Sequence, residues 1–350
     1  MPGMVWQILL AVFVFGLLVL THELGHFIAA RCFGVKVYEF AIGMGTKLLS
    51  YTSKKSGVIY SLRFLPFGGF VSMLGETEEG EEHNPESLSA KPAGQRLVVH
   101  AAGAAMNLLF GFLVMAILSS VVTLGTTKIH HFFDTELTGY EYSSRDSGLR
   151  EDDVIVRVGK RRVYIADQVL YEVMRNGQEP VEIVVRRGEE YLSLTVSFPI
   201  REERGQRLGD TDFQVYAEKS TVGTVIKHTV HKSVLVVNMV WESLFDLIRG
   251  RYTLEAASGP IGMAGELTSA AKSGAGPLLY LVAIISINLG VMNLLPLPAL
   301  DGGHLLYVLF EIVFRKPLPM KYANLFDFVG FALLMGLLVL VTFKDIAALF

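Results

Sequence analysis

The sequence predicts a polytopic α-helical membrane protein with four transmembrane helices and β-rich segments between them. Hydrophobic residues make up 51% of the 350 residues, and the mean hydropathy is positive. Four apolar segments are each long enough to span a bilayer. An ordinary soluble protein of this size is more polar. The net charge of −3 gives no general attraction to nucleic acid, so no nucleic-acid partner is expected.

Residues 1–127 are predicted to form the first part of the membrane core. Transmembrane helices are expected at about residues 5–30 and 97–122, because both stretches are almost free of charged side chains. Residues 36–75 lie between them and combine strand-like runs with glycine turns. This pattern favours a β-sheet associated with the cytoplasmic face of the membrane. The N-terminus lacks the basic region of a cleavable signal peptide, so we expect the first helix to be retained.

The middle of the chain is predicted to be a β-rich extracytoplasmic domain at residues 128–205, followed by an amphipathic helical connector at residues 206–272. Within the domain, residues 146–159 have the pattern of a turn followed by an alternating strand, and residues 181–196 that of a hairpin. The first of these runs resembles part of a PDZ domain. From about Thr221 the apolar residues cluster on one side of a helix, which is typical of an amphipathic segment.

Residues 273–350 are predicted to complete the membrane core, with transmembrane helices at about residues 276–298 and 326–343. The loops that follow the first and the third helix carry several Lys and Arg residues, whereas the N-terminal tail has neither. The positive-inside rule therefore places both loops in the cytoplasm and both termini outside. We expect a multi-pass protein in the lipid bilayer, with its inserted PDZ-like domain outside the cytoplasm.

The first predicted helix ends with the motif His22-Glu23-Leu24-Gly25-His26. Because residues i and i+4 of a helix lie on one face, the two histidines can offer imidazole nitrogens to one zinc ion. Glu23 lies beside them, where a carboxylate can take a proton from an attacking water molecule. Ionisable side chains are costly inside a membrane and are usually functional there. The motif therefore predicts a zinc site within the bilayer.

Two histidines leave a catalytic zinc ion short of one protein ligand, since such sites usually have three. Residues 27–38 contain no further His, Asp or Glu. The candidate is Asp301, which follows Pro296 and Pro298 at the cytoplasmic end of the third apolar segment. The prolines free backbone groups, and at membrane depth such groups are tolerated only where they line a cavity or pack on protein. Asp301 would complete a site of two histidines and one aspartate.

The motifs HELGH at residues 22–26 and NLLPLPALDGG at residues 293–303 are together similar to those of the site-2 protease family of intramembrane zinc metalloproteases. With its PDZ-like insertion, the chain resembles most closely the bacterial regulator-of-sigma-factor protease branch. Residues 65–71 (LPFGGFV) and 102–107 (AGAAMN) resemble shorter motifs of the family, although Ala104 stands where a proline is common. The resemblance extends over nearly the whole chain.

The resemblance implies that His22, His26 and Asp301 bind Zn²⁺, and that Glu23 is the general base and later the general acid. It associates Asn293 with holding the main chain of an unfolded substrate. The other residues expected to bind substrate are Asn107, Gly68, Gly69 and Phe70. Alternatives remain for these, since the Asn107 side chain can instead be a helix-packing amide. The strand with the two glycines can instead belong to a small sheet that closes the cytoplasmic end of the helices.

The expected activity is cleavage of transmembrane segments of single-span membrane proteins in regulated intramembrane proteolysis. The substrates would be anti-sigma factors or remnant signal peptides, already trimmed by another protease. The expected location is the bacterial inner membrane, with the active site near its cytoplasmic face. Two alternatives are a membrane metal-ion transporter and a catalytically inactive membrane scaffold. The glutamate beside a histidine ligand favours the enzyme over the transporter, and the intact set of four site residues argues against the scaffold.

Overall fold

A computed structural model describes residues 2–76, 83–134, 140, 143–203, 206–250, 259–316 and 318–347. The chain divides into two compact units, Met1–Val114 with Met239–Phe350 and Met115–Asn238. The described residues form eight α-helices: α1 (Pro2–Cys32), α2 (Ala93–Val121), α3 (Ala166–Asn176), α4 (Val222–Ile248), α5 (Pro260–Ser273), α6 (Ala275–Asn293), α7 (Asp301–Phe314) and α8 (Met320–Ala347).

Four of these helices, α1, α2, α6 and α8, are long and apolar enough to cross a membrane. The predicted membrane protein with four transmembrane helices is therefore confirmed. Their candidate spans are Trp6–Cys32, Ala93–Val121, Ala275–Asn293 and Lys321–Ala347. The last helix extends beyond the apolar run at residues 326–343, because polar residues near its ends find partners. One of them, Asp345, accepts a hydrogen bond of 2.8 Å from the backbone N–H of Gly262.

The described strands are β1 (Val37–Thr52), β2 (Ile59–Met73), β3 (Leu124–Phe132), β4 (Val154–Val158), β5 (Arg161–Arg162), β6 (Val181–Arg187), β7 (Glu190–Val196), β8 (Ile200–Glu203), β9 (Gln206–Gly209) and β10 (Phe213–Glu218). In the first unit β1 pairs with β2. Phe40 in β1 faces Val71 of β2 on one side and Tyr60 of β2 on the other. The last part of β2, residues 69–73, therefore forms an edge of this sheet among the described residues.

The β1–β2 sheet packs on the C-terminal part of α1. Phe27 of α1 contacts the rings of Phe40 and Tyr60 in edge-on geometry, with ring centroids 5.3 and 6.1 Å apart. A buried apolar cluster continues from this contact through both strands and into α2. Each fully buried side chain of this kind contributes roughly 1.5–3 kcal/mol. The packing fixes the edge of β2 against the turn of α1 that carries the histidines.

The second unit contains a six-stranded sheet in the order β10-β3-β4-β6-β7, with β5 beside β4. Its core is a cluster of buried aliphatic and aromatic residues that includes Ile129, Ile155 and Ile183, and Val173 of α3 is part of it. Strands continue to Glu218, so residues 206–218, which are predicted to be part of the connector, instead form β9, β10 and the residues between them. The reason is that β10 pairs with β3, a long-range partner that local periodicity does not reveal. The helical part begins at Val222, next to the predicted start at about Thr221.

The turn between α6 and α7 positions the chain for the site. Pro296 and Pro298 cannot donate backbone hydrogen bonds, and they end the helical pattern after Asn293. Ala299 has a φ of 64°, a left-handed conformation that costs a residue with a side chain roughly 1–2 kcal/mol. Gly302 lies so close to the carbonyl group of Leu295 that no Cβ could be accommodated. This tight turn allows a new helix, α7, to begin at Asp301.

Candidate metal centre

The two motif histidines lie on one face of α1, one turn apart. Their Nε2 atoms are 3.3 Å from each other, and the rings meet edge-on with centroids 4.9 Å apart. His26 is 8% exposed. As helix geometry predicts for residues i and i+4, both rings lie on one face of α1 and direct their Nε2 atoms to one point.

Asp301 is brought to the same point by the start of α7. Its Oδ2 atom lies 3.2 Å from His22 Nε2 and 3.3 Å from His26 Nε2. The structure thus brings together three residues that the sequence separates by about 275 positions. Among the described residues, this is the group of His, Cys, Asp and Glu side chains whose donor atoms all lie within 4.8 Å of one another.

The spacing of the three donor atoms fits a tetrahedral zinc ion. Zinc bonds to histidine nitrogen and carboxylate oxygen are each about 2.0–2.1 Å long, which puts any two tetrahedral donors about 3.3 Å apart. The three observed separations are 3.2, 3.3 and 3.3 Å. Asp301 Oδ2 is also a buried atom that lacks a hydrogen-bond partner. The three donor atoms converge on one point, as expected where a cation completes the site.

The other ring nitrogen of each histidine fixes which nitrogen faces the centre. His26 Nδ1 lies 2.8 Å from the carbonyl oxygen of Val99 in α2, so Nδ1 carries the proton and Nε2 is left as a lone-pair donor. His22 Nδ1 lies 3.3 Å from the amide of Asn107. Asn107 is fully buried, and its Oδ1 has no partner as placed. Turning that amide over satisfies Oδ1 with the His22 Nδ1–H.

Two glycines let α2 approach the histidines. A Cβ on Gly103 would overlap the His26 and His22 rings, and a Cβ on Gly25 would overlap the backbone of Ala102. Sequence reasoning did not identify Gly103 or Val99 as part of the site. Gly103 lies in the AGAAMN motif, so its position was visible, but its contact with the histidines was not. The Val99 carbonyl has no sequence signal, since every residue carries one.

Glu23 points toward the edge of the β1–β2 sheet. The backbone N–H of Val71 faces its carboxylate. A Cβ on Gly69 would lie 3.1 Å from Glu23 Cγ, so the absence of a side chain there lets strand and glutamate meet. The carboxylate that the motif places beside the metal ligands is therefore also in contact with a strand edge.

The remaining candidate residues lie near this edge or at the end of α6. Gly68 has a φ of 77° and packs on Met44. The ring of Phe70 faces the guanidinium group of Arg63 at 4.7 Å. Asn293 is the last residue of α6 and is partly exposed. Among the described residues, no hydrogen bond joins it to His22, His26 or Asp301, whereas the amide of Asn107 lies 3.3 Å from His22 Nδ1.

Comparison with known proteins agrees with this geometry. The sequence pattern of peptidase family M50 matches residues 10–337. A protein of Clostridium perfringens, provisionally named as a zinc metalloprotease, is 36% identical over 342 residues, which cover 97% of this chain and 98% of its own. The zinc metalloprotease RasP of Geobacillus kaustophilus is 30% identical over 96% of this chain and 97% of its own.

A third relative is the regulator of sigma-W protease RasP of Bacillus subtilis, which is 26% identical over 97% of this chain and 98% of its own. All three similarities extend across both units of the structure. The cluster of His22, His26 and Asp301, which could hold a metal ion, the four apolar helices and the extent of these matches lead to one conclusion. The chain belongs to peptidase family M50, the site-2 protease family, and is an integral membrane zinc metalloprotease.

Proposed function

We propose that His22, His26 and Asp301 hold the zinc ion and that Glu23 is the general base of peptide-bond hydrolysis. The observation that carries this proposal is the triangle of three donor atoms at tetrahedral spacing. When bound, zinc supplies a Lewis acid for the scissile carbonyl group and makes an attacking water molecule more acidic. Glu23 accepts the proton of that water and then delivers it to the leaving amine.

The edge of β2 is proposed to hold the substrate as an extended chain. Val71 presents its N–H to Glu23. Because backbone groups alternate along a strand, the N–H and C=O of Gly69 face the same way. An extended peptide can add to such an edge through main-chain hydrogen bonds. Gly68, Gly69 and Phe70 would then line the substrate beside the general base.

Asn293 is proposed to bind the substrate main chain from the opposite element. Its side-chain amide, partly exposed at the end of α6, carries both a donor and an acceptor, which suits a peptide group. A peptide bond in a helix is shielded by its own hydrogen bonds, so the substrate must unwind before it can bind in this way. Asn107 is assigned instead to orienting His22, the role that its contact with the ring supports.

The proposed substrates are transmembrane segments of single-span membrane proteins, either anti-sigma factors or remnant signal peptides. The name of the Bacillus subtilis relative, a regulator of sigma-W protease, supports the first class. The β-rich second unit, with its six-stranded sheet, supports the proposal of a PDZ-like domain outside the cytoplasm. That domain would admit substrates already shortened by another protease.

The proposed orientation has both termini outside the cytoplasm and the zinc site near the cytoplasmic face of the inner membrane. It rests on the Lys and Arg residues in the loops after α1 and α7. In this arrangement residues 36–75 form the cytoplasmic sheet beside the site. Residues 128–205 form the inserted domain, and the helical connector leads back to the second part of the membrane core.

The test compares the purified full-length protein with Glu23→Gln, using cleavage of a model transmembrane substrate in detergent and bound zinc as readouts. We expect Glu23→Gln to keep stoichiometric zinc and to lose cleavage by at least about 100-fold, the usual contribution of a general base. Equal cleavage by the variant would contradict the mechanism. Zinc binding without cleavage of any transmembrane substrate would favour a metal-ion transporter or an inactive scaffold instead.

The ligand assignment has its own test. Asp301→Ala is expected to lose zinc, because two histidines alone hold it weakly, whereas Asn293→Ala is expected to retain zinc and to cleave poorly. The Asn293 variant serves as the matched control, since both residues flank the same turn. Retention of zinc by Asp301→Ala at wild-type affinity would show that the third ligand lies elsewhere.

A further inference from the structure

Helix α8 carries Asp327 near its start, within the apolar run at residues 326–343. Only 11% of the residues in the most apolar part of this helix are buried, so it offers few sites where protein can shelter a charged group. A carboxylate inside a membrane-spanning helix is costly and needs partners. The partners of Asp327 therefore indicate why it is there.

One oxygen of Asp327 holds two separate segments. Its Oδ1 accepts a hydrogen bond of 2.9 Å from the hydroxyl group of Tyr307 in α7. The same atom accepts a hydrogen bond of 3.2 Å from the backbone N–H of Ala299. Ala299 is the residue in the left-handed conformation, with a φ of 64°. Asp327 thus stabilises the strained residue of the turn and ties the turn to the helix that follows it.

The same face of α8 contacts the turn at a second point. Gly330, three residues after Asp327, would place a Cβ 2.8 Å from the carbonyl oxygen of Pro298. Only a residue without a side chain allows this approach. The turn is therefore held between α8 on one side and its own close backbone contacts at Gly302 on the other.

The held residue lies two positions before the metal-binding carboxylate. Ala299 and Leu300 lead directly into Asp301, which is the first residue of α7. The other end of α7 is tied to α2 by the ion pair of Arg96 with Glu311, whose atoms are 2.5 Å apart. That contact lies far from the first turn of the helix, so it cannot set the direction of the Asp301 side chain. The conformation of Ala299 can set this direction, because Ala299 lies two residues before Asp301.

We propose that Asp327 is a positioning residue that sets the direction of Asp301 by holding the Ala299 turn. The proposal rests on the metal-ligand set given above, in which Asp301 is the third ligand. Asp327 acts as a hydrogen-bond acceptor, and it does not touch the metal-binding atoms. Residues that orient metal ligands from outside the coordination sphere change metal affinity by about 10–100-fold when they are removed.

The test measures zinc affinity of the full-length protein in detergent, by competition with a chromophoric chelator, together with the unfolding temperature. Asp327→Ala is expected to bind zinc at least about tenfold more weakly. Asp327→Asn is expected to bind zinc as the wild type does, because its Oδ1 still accepts both hydrogen bonds. If Asp327→Ala does not fold, Tyr307→Phe, which removes one of the two bonds, is expected to show a smaller loss of affinity.

The control is Asp345→Ala, which removes a carboxylate of the same helix that accepts a backbone N–H from a different element. It is expected to leave zinc affinity unchanged, even if the protein unfolds at a lower temperature. Wild-type affinity in Asp327→Ala, an equal loss in Asp345→Ala, or no rescue by Asp327→Asn would each overturn the proposal. An error in the proposed ligand set would give a different result, because Asp301→Ala would then retain zinc.

Discussion

Gly103 is the point at which α2 comes closest to the two histidines. A methyl group there would overlap both rings, and helices as closely packed as α1 and α2 cannot shift apart without breaking the Val99 contact of His26. Gly103 is therefore part of the site because it has no side chain. It defines the space in which the two rings can both turn Nε2 toward Asp301.

Gly103→Ala is accordingly expected to weaken zinc binding by at least about tenfold and to reduce cleavage in parallel, since it displaces ligands rather than the general base. Zinc content and cleavage of a model substrate measure this. Gly94→Ala, in the same helix but with open space around it, is the matched control and should resemble the wild type. Normal zinc affinity in Gly103→Ala would mean that the helices can separate at no cost.

At the scale of single residues, the sequence predicts the side chains with distinctive chemistry. It does not predict the neighbouring groups that hold these side chains in place. His22, Glu23 and His26 form a pattern within one helical turn, and Asp301 stands out because prolines precede it in an apolar segment. The Val99 carbonyl and the space at Gly103 depend on how α2 packs across α1. Backbone groups and missing atoms leave no local pattern, so only the structure can assign them.

The β1–β2 element is held together by a small charged cluster around Glu39. Burial would raise the pKa of this carboxyl group. Hydrogen bonds from Ser61 and from the cations Lys47 and Arg63 outweigh burial, however, and lower the pKa from 4.5 to about 2. The distances to Lys47 and Arg63 are 2.9 and 2.8 Å. Because the folded pKa lies below the unfolded one, the cluster stabilises the sheet above about pH 4.5, and this stabilisation is lost as the pH falls toward 2.

Glu39→Gln is therefore expected to lower the free energy of unfolding near neutral pH by about 2 kcal/mol, after allowance for solvent screening at the exposed Lys47. The difference between variant and wild type should shrink steadily between pH 5 and pH 2. Unfolding in detergent across this pH range measures it. Glu189→Gln, an exposed carboxylate at the turn between β6 and β7, is the control, and parallel pH profiles for Glu39→Gln and wild type would contradict the expectation.

Elements with strong local patterns were predicted, and those that depend on distant partners were not. The four long apolar helices follow from composition over about 20 residues, the length that a bilayer requires. Helix α7 has only 14 residues, too few to span, and it exists because the Ala299 turn redirects the chain. Strands β3 and β10 pair across most of the second unit, so the sheet extends beyond the boundaries at residues 128 and 205.

For the molecule as a whole, the sequence supports a membrane orientation that labelling can test. The one cysteine, Cys32, is first replaced by serine. A membrane-impermeant maleimide added to intact cells is then expected to label Glu189→Cys in the second unit but not Lys54→Cys in the turn between β1 and β2. After permeabilisation both should react. The reverse pattern would invert the proposed topology, and cleavage by each variant checks that it is folded.

At the scale of the whole molecule, the sequence predicts the properties that depend on overall composition. Apolar length determines that the chain enters the membrane, and the distribution of Lys and Arg suggests which loops stay in the cytoplasm. The sequence does not predict the identity of the substrate, because a strand edge recognises main-chain atoms that all peptides share. The proposed substrate class rests instead on the name of the Bacillus subtilis relative, a regulator of sigma-W protease.

The division of the zinc donors between residues 22, 26 and 301 also has a consequence for biosynthesis. A ribosome must translate about 275 positions beyond His26, as far as Asp301, before all three donors exist in one molecule. Until then, the growing protein carries the proposed general base and two histidines, yet the proposed coordination triad is incomplete. If these residues hold the zinc ion, a chain that stops before Asp301 cannot assemble the metal site, and the order of synthesis delays proteolytic activity until the third apolar helix has been made.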